Sequence, residues 1–94
     1  MKLYPINQVG GSCIGRLYVK YNDIIRIVGK PNVTDLDDSD KVKASWGYKT
    51  HRGKEIFIWA YKIYNIKENR DWSIAGDMDT FRKLFGNEAV HCYE

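Results

Sequence analysis

Ninety-four residues, 44% of them apolar and with a formal net charge of +3, suffice for one hydrophobic core and exclude two, because a chain of this size buries only roughly two-thirds of its unfolded surface. No run approaches the roughly 20 apolar residues that cross a bilayer, and the opening Met-Lys-Leu-Tyr-Pro-Ile-Asn-Gln lacks the apolar stretch of a signal peptide. A single domain over residues 1–94, retained in the cytoplasm and without a membrane partner, is expected.

Residues 14–21, Ile-Gly-Arg-Leu-Tyr-Val-Lys-Tyr, follow the Gly10-Gly11 turn signal with β-branched and aromatic types, which predicts a strand. Ile24, Ile25, Ile27 and Val28 then recur at one-three-four spacing behind Asn22 and Asp23, which suit a helix start, and Gly29 with Pro31 stops the run. A short helix is expected, with a hairpin as the alternative that the β-branched content leaves open.

Val42, Ala44, Trp46 and Tyr48 alternate with Lys41, Lys43, Ser45, Gly47 and Lys49, the period-two pattern of a half-buried strand with one apolar and one cationic face. Residues 55–64 are apolar on both faces, with Ile56, Ile58 and Ala60 on one and Phe57, Trp59, Tyr61 and Ile63 on the other, as in a central strand. Gly53 supplies the left-handed residue of a short loop between them, so the two are expected to pair antiparallel.

After the polar run at residues 67–71, a short strand is expected at residues 72–75. A helix follows, capped by Asp77 or Asp79, with Met78, Phe81, Leu84 and Phe85 on its apolar side and Gly86 at its end. Residues 89–93 suit an edge strand. The whole predicts an α+β fold: a small antiparallel β-sheet of four or five strands, centred on residues 55–64, with two short helices, one packed on the sheet. One helix covers one side, so the other apolar face invites a second copy of the chain, and a homo-oligomer is expected.

Chemistry is sparsely represented. Cys13 and Cys92 allow no disulfide framework beyond one bridge, and reduced thiols are expected. His51 and His91 are the only imidazoles, and neither stands in a nucleophile, metal or phosphate-loop motif. His91 and Cys92 are adjacent on a strand and point to opposite faces, so they cannot hold one metal together. Counting a calcium loop from Asp35 puts Asp40 and Trp46 where Gly and Glu belong, so the acidic run at residues 35–40 reads as a surface loop or a contact for a basic partner. Neither enzymatic activity nor a cofactor is expected.

That run holds four of the twelve acids, which leaves fifteen bases against eight acids elsewhere. Lysines and arginines at 41, 43, 49, 52, 54, 62 and 70 interleave with tyrosines and Trp72. Cations neutralise phosphate while aromatic faces stack on bases, so the mixture suits nucleotides and single-stranded nucleic acid. The candidate ligand-binding residues are Lys43, Trp46, Tyr48, Tyr61, Lys62, Tyr64, Arg70 and Trp72. The competing reading puts the tryptophans in the core and the lysines in solvent. Lys62 shares its parity with Ile56, Ile58 and Ala60, and must either reach water or meet an anion.

With Gly29-Lys-Pro31 after an apolar helix, Trp46 in a lysine-preceded strand, the Tyr61-Lys62 pair and Trp72-Ser-Ile-Ala-Gly76 before a last helix, residues 17–86 resemble a loose family of small bacteriophage proteins. The resemblance implies a phage accessory protein, whose compact, non-enzymatic kind blocks host defence by occupying a defence protein or sequestering its nucleotide signal. The expected function is counter-defence in the host cytoplasm, by capture of an anionic ligand such as a cyclic nucleotide immune signal. The alternative is an anti-CRISPR-type inhibitor that binds a host defence protein or its nucleic-acid site.

Overall fold

The hairpin marked by alternation around Gly53 forms the centre of the sheet. The computed structural model describes residues 2–6, 14–32, 42–61 and 66–93. Within them lie strands β1 (Leu3–Pro5), β2 (Gly15–Leu17), β3 (Val42–Thr50), β4 (Glu55–Tyr61), β5 (Trp72–Gly76) and β6 (Val90–Cys92). Helix α1 (Tyr21–Val28) joins β2 to the β3 side of the chain, and α2 (Met78–Phe85) lies between β5 and β6. The fold is α+β, and the described residues form six strands rather than four or five, ordered β1-β3-β4-β5-β2-β6 with every described pairing antiparallel. The unforeseen strand is β1, whose three residues show no period and include Pro5, a residue confined to sheet edges because it donates no ladder bond.

Trp46, Tyr48, Ile56, Ile58, Ala60, Trp72 and Ile74 project from one face, where they meet Leu17, Val90, Ile24 of α1 and Phe81 of α2 in one core. Both helices therefore cover the same side. On the other, Phe57 is 6% and Ala75 3% exposed, so this part of the second face is withdrawn from water in one copy and does not by itself require another. The row through Ser45 and Gly47 is also buried, and among the described residues of the expected cationic face of β3, Lys49 stands exposed at its end. The pairing shifts between Val42 and Ala44, a bulge at Lys43, so the strict alternation drawn through Val42 breaks there.

Helix α1 begins earlier than Asn22 and Asp23 suggested. Lys20 is its N-cap, and Asp23 lies in the first turn, where it pairs with Arg26 at 3.3 Å. The preceding strand is correspondingly short. In α2, Asp77 is the cap: its carboxylate accepts from Thr80 N–H at 3.1 Å and Thr80 Oγ1 at 2.6 Å. Gly76 at φ 109° makes the turn between β5 and that cap, and a Cβ there would drive into the Glu55 carbonyl, which accepts Asp77 N–H at 2.9 Å. Among the described residues, no helix is long and apolar enough to cross a membrane. The acidic run at residues 35–40 and Cys13 lie outside the described residues.

Candidate anion-binding site

Of the eight candidate ligand-binding residues, the side chains described are those of Trp46, Tyr48, Arg70 and Trp72, and these four do not form one surface. Trp46 and Trp72 are 0% exposed and Tyr48 7%, so none of the three offers a ring face to a ligand. The two indoles meet edge to face at 5.4 Å, and each N–H is used inside: Trp46 donates to the Gly29 carbonyl at 2.8 Å and Trp72 to the Val19 carbonyl at 2.9 Å. A buried indole finds an internal acceptor because leaving its N–H dry is costly. Burial also raises the Tyr48 phenol above the usual tyrosine range. Lys43 stands at the bulge of β3 and Tyr61 pairs with Val42, while Lys62 and Tyr64 lie outside the described residues.

Arg70 is exposed, and it lines a hollow of about 440 Å³ with Tyr18, Val19, Lys20 and Asp23. Tyr18 is 46% exposed and meets His91 in a T-shaped contact at 5.0 Å. Lys20 and Arg70 have no ion-pair partner among the described residues, whereas Asp23 is engaged by Arg26. The hollow is thus lined by an aromatic side chain, by two cations without an ion-pair partner among the described residues, and by the one carboxylate of Asp23, which is shared with Arg26. Its backbone is held from beneath by Trp72, through Val19, and from the side by the 2.8 Å bond from Tyr18 N–H to the Ala89 carbonyl. Trp72 is thus a core residue that braces the hollow and is not part of its lining.

Two other hollows are electrostatically different. At the hairpin tip, Arg52, Lys54 and Lys83 share about 480 Å³ with Asp77 and Asp79. Hydrogen bonding from Thr80 holds the Asp77 carboxyl below the usual aspartate range, helped by Lys54 and Lys83, so two carboxylates share this hollow with its three cations. A third hollow, about 510 Å³, lies on Tyr18 and is lined by Phe85, Gly86, Asn87, Glu88 and Ala89. Arg16, on the second sheet face, is spent: it donates to Asp71 at 2.7 Å and Ser73 at 2.8 Å, and the bond to Asp71 raises its pKa further.

Sequence reading missed Tyr18 and Lys20, because both fell inside an expected strand and were absorbed into its pattern. The signal available was Lys20 at the strand-to-helix junction, a position that no core demands. Among the described residues no group of three His, Cys, Asp or Glu side chains could hold a metal ion. No family model, curated protein or solved structure matches the chain.

Proposed function

We propose that this chain is a binding protein for a small anionic ligand of the nucleotide class, captured at the hollow between Tyr18, Lys20 and Arg70 without chemical change. One observation carries the reading: two exposed cations with no ion-pair partner among the described residues line one hollow with an exposed tyrosine. The cations attract phosphate and the ring supports a base or sugar. The likeness of residues 17–86 to phage accessory proteins supplies the setting, sequestration of a nucleotide signal of bacterial immunity.

Titration calorimetry with nucleoside monophosphates and their cyclic forms tests it. Binding weakens several-fold between about 50 and 500 mM salt, because exposed charges are screened over such a range, and Lys20→Ala with Arg70→Ala abolishes it. Ligand released by denaturation is recovered intact. No binding at low salt, or binding indifferent to both substitutions, refutes the reading.

A second reading, the protein inhibitor, rests on the hairpin tip, where His51, Arg52 and Lys54 all stand exposed. It predicts that a host defence protein co-purifies with the chain and that Arg52→Glu, rather than Arg70→Ala, releases it.

A further inference from the structure

Tyr18 lines two hollows of opposite character. On one side stand Lys20 and Arg70. On the other are Phe85, Asn87 and Glu88, with the carbonyl end of α2 at Phe85 and Gly86. Glu88 is exposed and, among the described residues, has no ion-pair partner. A phosphate is repelled from this second side by the Glu88 carboxylate and by the partial negative charge of roughly half a unit at a helix C-terminus. A nucleotide has the matching polarity, anionic at one end and a hydrogen-bonding heterocycle at the other.

We infer that the Phe85–Asn87–Glu88 hollow is the base-recognition half of the same site and that it selects guanine. This rests on the anion-binding reading of the Lys20–Arg70 hollow. An ionised carboxylate only accepts hydrogen bonds, so both Glu88 oxygens are satisfied by a base edge that presents two neighbouring donors. Guanine does so with N1–H and its exocyclic N2 amino group. Adenine and cytosine place a ring acceptor beside their amino group, and uracil flanks its single N–H with carbonyls, so each sets an acceptor against a carboxylate oxygen. The Asn87 amide can donate to guanine O6, and Phe85, partly buried at the end of α2, gives the base an apolar floor. Tyr18 lines both halves and so lies where base and phosphate join.

The experiment compares guanosine 5′-monophosphate with adenosine 5′-monophosphate by calorimetry at low salt, on the intact chain and on Glu88→Gln. The intact chain binds the guanine nucleotide roughly tenfold more tightly or better, the discrimination that one bidentate base contact supplies. Glu88→Gln, which replaces one acceptor by a donor at an exposed position, brings the guanine nucleotide down to the adenine level. Equal, salt-sensitive binding of both nucleotides by the intact chain overturns guanine selection while leaving the anion site standing. A preference unchanged in Glu88→Gln overturns the role of Glu88. Absence of binding by either nucleotide overturns both readings.

Discussion

Replacing Trp72 by Phe separates a core role from a ligand-stacking one. The indole is fully buried and donates to the Val19 carbonyl at 2.9 Å. A phenyl ring keeps most of the apolar contact with Tyr21 and Trp46 but leaves that carbonyl without its donor, about 1–3 kcal/mol. The smaller ring also leaves unfilled space worth about 1 kcal/mol. The sum, about 2–4 kcal/mol, lowers the unfolding midpoint of a domain this small by roughly 10–25 °C, measured by far-UV circular dichroism so that the lost fluorophore does not matter. Binding by the folded variant weakens less than about tenfold, since Trp72 is buried and bonds to the site at the Val19 carbonyl without facing the hollow. Tyr18→Ala does the reverse: its exposed side chain contributes little to folding, and its loss removes the aromatic support of the ligand. An unchanged midpoint for Trp72→Phe refutes the packing argument, and a folded Trp72→Phe that binds nothing refutes the assignment of Trp72 to support rather than contact.

Three further outcomes follow from the same geometry. Because the folded-state pKa of Asp77 is depressed, chiefly by its hydrogen bond from Thr80, its stabilisation is present above the ordinary aspartate range near about 3.9 and is lost as pH falls through the lower folded value. Asp77→Asn, an equally good cap that does not titrate there, loses less stability than the native chain between about pH 4 and 2 in acid titrations followed by circular dichroism, and parallel curves refute the cap's role. Ser45 Oγ is buried without a hydrogen-bond partner, so Ser45→Ala is neutral or stabilising by up to about 2 kcal/mol in urea unfolding, and a loss above about 0.5 kcal/mol reveals a partner for that hydroxyl. Gly76→Ala combines a φ of 109° with a clash against the Glu55 carbonyl and costs at least about 3 kcal/mol, so a variant as stable as the parent refutes the turn geometry.

The parts of this protein legible in its sequence are those governed by local rules. Period-two alternation marked β3, two-sided apolarity marked β4 as interior, and an aspartate cap at 77 or 79 with Gly86 bounded α2, because strand pleat, helix cap and left-handed turn each depend on a few neighbouring residues. Position along the chain could not reveal that α1 and α2 share one face, that β1 closes the edge beside β3, or that a bulge at Lys43 breaks the alternation, since each depends on partners distant in sequence. The site followed the same division. Arg70 could be suspected from charge and type, but an aromatic residue on a strand reads alike as core or platform, and only burial decided that Trp46, Tyr48 and Trp72 are core while Tyr18 is exposed. Tyr18, Lys20 and Arg70 are brought to one hollow because β2 runs antiparallel to β5, pairing Leu17 with Trp72 and so setting the start of α1 beside the loop before β5. Residues some fifty positions apart become neighbours through that pairing alone, and no local pattern in either segment records it.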